Sequence, residues 1–190
     1  MQHVNYKKLF LRLLIAALCI SAAIGIFVFL AGDYGDTEIK TLLTTLSLVG
    51  YSLSALCCST IYEKEGLKLF SLTGMAVSGI GFLVTITAIW EFIDTEDFFK
   101  TVIIFMILAT AFGHISLLLL VKPKNNTIKY LLITTVVFVC IVAMMLIKAT
   151  VTEFDEDEFY FRLLGVFTIL DVLGTIATPI ANKITDKTSG

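Results

Sequence analysis

The sequence predicts an all-α polytopic membrane protein: a single domain in which a six-transmembrane-helix bundle is built as three repeated helical hairpins. Three observations predict it. The chain is 57% hydrophobic and only 16% charged, with a mean hydropathy of +0.93, far from the balance of a water-soluble domain. Six apolar segments, 9–30, 39–61, 67–90, 98–121, 128–147 and 159–184, each reach or approach the ~20 residues that cross a bilayer, and their connections leave no room for a soluble domain. The charges between the segments also sort by turn.

The first segment follows Lys7 and Lys8 and passes through Ala16-Ala17-Leu18-Cys19, a loose likeness to a lipoprotein cleavage box. Leu18 stands where a small residue is wanted, and the apolar run continues to Leu30, so a retained anchor is expected. The second segment carries a polar stripe of Thr44, Ser47, Tyr51, Ser54 and Cys58. Small residues recur at helical spacing in the first (Ala17, Ser21, Gly25), the third (Ser71, Gly74, Ser78, Gly81, Thr85) and the fourth (Ala109, Gly113, Ser116). Such stripes let backbones approach closely. The fifth is almost uniformly bulky and is expected at the lipid boundary. Cys19, Cys57, Cys58 and Cys140 all fall inside spans and read as structural thiols.

Orientation follows from charge. Ten Lys and Arg residues fall on one side and four, Lys40, Lys100, Lys148 and Arg162, on the other. The positive-inside rule then places both termini in the cytoplasm. The acids divide the opposite way, giving −8 outside and +7 inside, which with Asp171 makes the net −2. In this arrangement Asn125-Asn126-Thr127, a glycosylation sequon by pattern, lies in a short cytoplasmic turn and is read as chance.

At a shift of about 60 residues the chain aligns with itself, bringing Lys8-Leu9-Phe10, Lys68-Leu69-Phe70 and Lys129-Tyr130-Leu131 into register. The outward turns GDYGDTE (32–38), EFIDTED (91–97) and EFDEDE (153–158) correspond, each followed by one basic residue. Asp33, Asp36, Glu38, Asp94, Glu96, Asp97, Asp155, Glu156, Asp157 and Glu158 make these turns acidic, and Lys40, Lys100 and Arg162 form an outer basic ring expected to reach back to them. Asp36, Thr37, Asp94, Thr95 and Asp155 are expected N-caps for the returning helices.

The last segment holds the one carboxylate of the apolar runs, Asp171, within RLLGVFTILDVLGTIATP (162–179). At 100° per residue Thr168, Asp171, Gly174, Thr175 and Thr178 share one side, and that side cannot face lipid. An ionisable group in a span is a functional-site hypothesis by default. Pro179 removes a backbone donor and is expected to loosen the helix near Thr175. Depths of ~6 Å for Arg12, ~12 Å for His114 and ~18 Å for Asp171, at 1.5 Å per residue, suggest a ladder able to relay protons or bind a cation. The plainer expectation is that Asp171 bonds to hydroxyls such as Thr44 or Ser47, His114 to a carbonyl, and that Arg12 reaches the headgroups. Among these residues Arg162, Gly165, Asp171, Gly174 and Pro179 make a closing segment that resembles the C-terminal helix of uncharacterised small multi-span bacterial inner-membrane proteins. The resemblance covers about a tenth of the chain and implies a bacterial plasma membrane but no function.

Enzyme signatures are missing: the spans offer one carboxylate where an aspartyl intramembrane protease needs two, and there is no GxSxG, HExxH, P-loop or histidine pair for haem. No catalytic residue, metal or cofactor is expected, and no nucleic acid among the partners. The first functional expectation is therefore a non-enzymatic accessory or scaffold subunit, or a homo-oligomer, whose partners are the lipid bilayer and other membrane proteins. The alternative is a small proton- or cation-linked transporter or channel using Asp171, with His114, Arg12, Thr168 and Thr175 about it. A further alternative is cation sensing by the outer acidic turns.

Overall fold

The computed structural model describes residues 35–188 except 94 and 124, together with residues 12, 15, 16, 19, 20, 23, 25 and 26. Among the described residues there are five long helices and no strand: α1 (Asp36–Ser59), α2 (Lys68–Ile89), α3 (Glu96–Leu120), α4 (Asn126–Val151) and α5 (Glu158–Thr188). All five are long and apolar enough to cross a membrane. The expected span at 9–30 lies largely outside the described residues, and so do Asp33 and Asp94. The chain forms two compact units, one ending at Gly113 and one beginning with His114.

Charge and turn chemistry set the helix ends. Helix α1 starts from Gly35, extended at φ −74° and ψ 155°, and carries Asp36 and Glu38 in its first turn, where carboxylates meet the positive end of the helix dipole. Asp36 is thus inside the helix, one residue past the cap expected of it. Glu96 and Asp97 stand likewise in the first turn of α3, where the Thr95 carbonyl accepts from Phe98 and Phe99 and makes Thr95 the cap. Asn125 caps α4 in extended conformation, and α5 begins at Glu158, beyond the cap expected at Asp155. Between α1 and α2 the chain turns through Gly66, whose φ of +83° a side chain would resist.

Helices α2 and α4 end in related ways, the second with Phe154 also left-handed at φ 61°. Glu91 and Glu153 sit at φ 55° and 56°, and the following amide reaches back five residues, Phe92 to the Thr87 carbonyl at 3.1 Å and Phe154 to Ala149 at 2.7 Å. Each is a Schellman closure with glutamate where glycine is the usual residue. A left-handed L-residue is strained by roughly 1 kcal/mol. Glu153→Gly is therefore expected to stabilise the protein by about that amount, read as a raised thermal midpoint in detergent beside wild type.

In the first unit α2 touches both α1 and α3, and Gly113 of α3 meets Ser54 of α1. Its small face, Ser71, Gly74, Ser78, Gly81 and Ala88, is buried. Neighbours fill the space that missing side chains leave. A Cβ on Gly74 would stand 2.5 Å from Cys58 Sγ and 3.2 Å from Phe112 Cβ, and one on Gly81 would stand 2.6 Å from the Tyr51 ring and 3.2 Å from Phe105 Cβ. Hydrogen bonds lock the same seam: Ser71 Oγ donates to the Cys58 carbonyl at 2.7 Å, and Tyr51 Oη meets Thr85 Oγ1 at 2.9 Å. Two side chains of the second segment's polar stripe thereby find partners, Tyr51 at Thr85 and Thr44 at Trp90, whose Nε1 donates to Thr44 Oγ1 at 3.2 Å.

In the second unit α4 packs along α5 through Ile128, Leu132, Thr135, Val139 and Ala143, all buried, while Ile133, Val137 and Met144 on its opposite face stay exposed, as hydrocarbon-facing residues would be. Gly174 of α5 sits directly against Thr135, and the Phe138 and Phe167 rings lie 6.0 Å apart. Tyr160 Oη donates to the Met145 carbonyl at 2.6 Å. Shifting Gly74 by 61 residues gives Thr135, and shifting Phe112 by 62 gives Gly174. Each of these contacts sets a glycine of one helix against a larger side chain of the next.

Candidate functional site

Helix α5 positions the site because its buried face is polar. Asp171, Gly174 and Thr178 are buried there, with Thr175 and Asn182 half-buried, while Val172, Leu173, Ile176 and Ile180 on the remaining faces are exposed. The helix continues unbroken through Pro179, whose missing N–H leaves the Thr175 carbonyl without its helical donor. The Thr178 hydroxyl turns back onto the Gly174 carbonyl at 2.6 Å.

Asp171 is 7% exposed, and His114 and Thr175 converge on it. His114 Nδ1 stands 3.8 Å from Asp171 Oδ2. The other ring nitrogen, Nε2, is 2.8 Å from Thr175 Oγ1. Thr175 Oγ1 in turn lies 3.4 Å from Asp171 Oδ1, as donor. Carboxylate, imidazole and hydroxyl thus close a ring of three, two from one turn of α5 and one from α3. The hydroxyl that Asp171 takes is its own helix's Thr175, while the Thr44 hydroxyl donates to the Lys40 carbonyl at 2.7 Å. Imidazole and carboxylate stand at one level although α3 has six residues left beyond His114 and α5 has seventeen beyond Asp171. Helix α5 therefore overruns that level by the longer stretch, ~26 Å against ~9 Å.

The other sequence-derived candidates stand apart from this ring. Thr168 is exposed, its hydroxyl bonded to the Leu164 carbonyl at 2.8 Å, and Arg12 is helical and exposed. Asn182 was not among the candidates. It lies three turns beyond Asp171 on the same face, and its Oδ1 is buried with no hydrogen-bond partner among the described residues. The signal that would have found it is spacing, since residues at +4, +7 and +11 from Asp171 are Thr175, Thr178 and Asn182, a stripe that runs past Pro179.

At the opposite ends of the helices, basic and acidic residues pair. Lys40 Nζ stands 3.0 Å from Glu91, Lys100 3.4 Å from Asp97, Lys148 3.0 Å from Glu156, and Arg162 2.6 Å from Glu158. Lys148 also lies 4.9 Å over the Tyr160 ring. Each pair has at least one partner open to solvent, and such pairs contribute up to ~1 kcal/mol each, so they tie turns rather than build a core. Among the described residues no group of three or more His, Cys, Asp or Glu stands close enough to hold a metal ion. The four cysteines are free thiols, Cys58 buried and Cys19 and Cys140 exposed.

Fold and site together define the class, an all-helical integral membrane protein with a carboxylate sheltered inside its helices. In comparisons with known proteins, no family model, no curated protein and no solved structure matches this chain.

Proposed function

We propose that the protein is a small membrane transporter or channel in which the Asp171–His114 pair carries a proton or cation. The observation that supports this is the ring of Asp171, His114 and Thr175 on the buried face of a span, with Oδ2 to Nδ1 at 3.8 Å. A lone aspartate serving only to fasten α5 needs hydroxyl or amide donors and no titratable partner. Here the partner is an imidazole, the side chain whose ordinary titration lies nearest neutral pH. In this reading the chain crosses the bacterial inner membrane six times as three hairpin repeats, with both termini cytoplasmic. The charge partition supports the orientation. The twin closures at Glu91 and Glu153, with the corresponding contacts at Gly74–Phe112 and Thr135–Gly174, support the repeat.

The accessory-subunit reading rested on the small-residue stripes together with the missing catalytic groups. The glycines of the third and fourth segments' stripes are filled from within the chain: Gly74 by Cys58 and Phe112, Gly81 by Tyr51 and Phe105, and Gly113 by Ser54. Gly25, with nothing within 4 Å among the described residues, is what still favours docking on another membrane protein or a second copy. The test is Asp171→Asn in proteoliposomes. The transporter reading expects normal folding, judged by helix content and elution volume, with flux of protons or alkali cations reduced at least ~10-fold, the loss that removing ~1.4 kcal/mol produces. Undiminished flux with the asparagine in place would remove Asp171 from the function.

A further inference from the structure

We infer that the species held by the Asp171–His114 pair is a proton rather than a metal cation, and that the Thr175 hydroxyl reverses its direction each time the pair is loaded. This rests on the transport reading above and adds to it the identity of the carried species.

Thr175 has one hydroxyl proton and two neighbours that can accept it, His114 Nε2 at 2.8 Å and Asp171 Oδ1 at 3.4 Å. With a neutral imidazole beside an aspartate anion, the complementary arrangement puts the ring proton on Nδ1, facing Asp171 Oδ2. Thr175 then donates to the bare Nε2. The other tautomer would aim the Nδ1 lone pair at a carboxylate oxygen 3.8 Å away, with no proton between them. Adding one proton changes the wiring in one way. An N–H bond forms at Nε2, this N–H donates to Thr175 Oγ1, and the hydroxyl proton swings to Asp171 Oδ1. Both hydrogen bonds of Thr175 are then matched donor to acceptor, and the imidazolium faces the carboxylate as an ion pair at 3.8 Å. Release reverses it: the Nε2–H bond breaks, the proton leaves to water, and the hydroxyl turns back to the ring nitrogen. No covalent bond other than N–H changes.

A metal ion fits the same groups poorly. Hard cations gather about six oxygens. Here one carboxylate and one hydroxyl converge, and the neighbouring Thr178 and Thr135 hydroxyls are turned onto the Gly174 and Leu131 carbonyls at 2.6 and 2.9 Å. A softer ion would accept the imidazole but needs further ligands, and no group of three suitable side chains exists among the described residues. Among the described residues of this unit the other titratable groups do not face the pair. On α4 the residues at its level are Thr135, Phe138 and Val139, which do not titrate, and the adjacent Cys140 is exposed. On α5 the next ionisable side chains described are Arg162 and Lys183, both exposed. Polar groups do continue along the stripe from Thr175 through Thr178 to Asn182, whose orphan amide oxygen offers an acceptor three turns further on.

The experiment uses the full chain in proteoliposomes with a lumenal pH-sensitive dye, under an imposed pH gradient, in sodium, potassium and choline media. Proton flux equal in the three media is expected. Thr175→Val should slow it at least tenfold and move the pH at half-maximal flux, and Thr175→Ser, which keeps the hydroxyl, should restore both. Flux that requires sodium or potassium and vanishes in choline would overturn the proton assignment while leaving the transport reading standing. A Thr175→Val protein with wild-type rate and pH profile would overturn the hydroxyl's role. Folded wild-type protein that moves neither protons nor alkali cations would remove the transport reading itself, and the assignment with it.

Discussion

Gly174→Val is expected to destabilise the second unit by about 3 kcal/mol, the upper part of the usual range for over-packing a tight contact. The reason is local. A Cβ built on Gly174 would overlap the Thr135 side chain, falling on its Oγ1 and within 3.0 Å of Cγ2, and both residues sit in the middle of long helices that cannot step aside without disturbing the whole α4–α5 seam. Thr135 gives the control. Its hydroxyl is bonded only within α4, to the Leu131 carbonyl at 2.9 Å, so Thr135→Ala alone should be mild, about 0.6 kcal/mol by the average for hydrogen bonds inside membranes. Combining the two should restore at least half of the loss, because residues in contact couple by up to ~3 kcal/mol. Denaturant unfolding in mixed micelles measures all three. A valine variant as stable as wild type, or a double variant no better than the single, would refute the packing of Gly174 against Thr135.

Much of this architecture was legible in apolar run length alone. The segments 39–61, 67–90, 98–121, 128–147 and 159–184 lie over α1 to α5. Their ends were less legible, for a physical reason: hydropathy discards charged residues, but Asp36, Glu38, Glu96 and Glu158 belong to their helices because they stabilise the positive helix end. The small stripe of the third segment was readable as a packing face, although which neighbours would fill it was not. Chain periodicity says which side of a helix is small, whereas the identity of Tyr51 or Phe112 as the filler depends on tertiary register. Asp171 announced itself as a charge inside an apolar run. His114 was legible as a rung of a ladder with it but not as a direct contact, because counting residues from the helix ends put the two about 6 Å apart in depth, and that arithmetic assumes helices ending at a common plane. Helix α5 extends to Thr188 and α3 stops at Leu120, which lets the two meet.

The second large effect is expected at Tyr51. It occupies the hollow left by Gly81 and also bonds Thr85, so ring and hydroxyl contribute separately and two substitutions separate them. Tyr51→Phe keeps the ring against Gly81 and its edge-on approach to Phe82 at 6.4 Å, and loses only the 2.9 Å contact. Thr85 is not orphaned by this change, since its hydroxyl also donates to the Gly81 carbonyl at 2.8 Å. A loss of about 0.6 kcal/mol follows. Tyr51→Ala empties a site that is 8% exposed and faces a glycine with no side chain to move inward, so the cavity persists and the expected loss is about 3 kcal/mol or more. The ratio decides what holds α1 to α2. A phenylalanine variant nearly as damaged as the alanine one would mean that the hydrogen bond, not the filled hollow, joins these helices. Gly81→Ala supplies the converse, because its added methyl meets the Tyr51 ring at 2.6 Å, and Tyr51→Ala in the same chain should relieve part of that clash by opening the space the methyl needs.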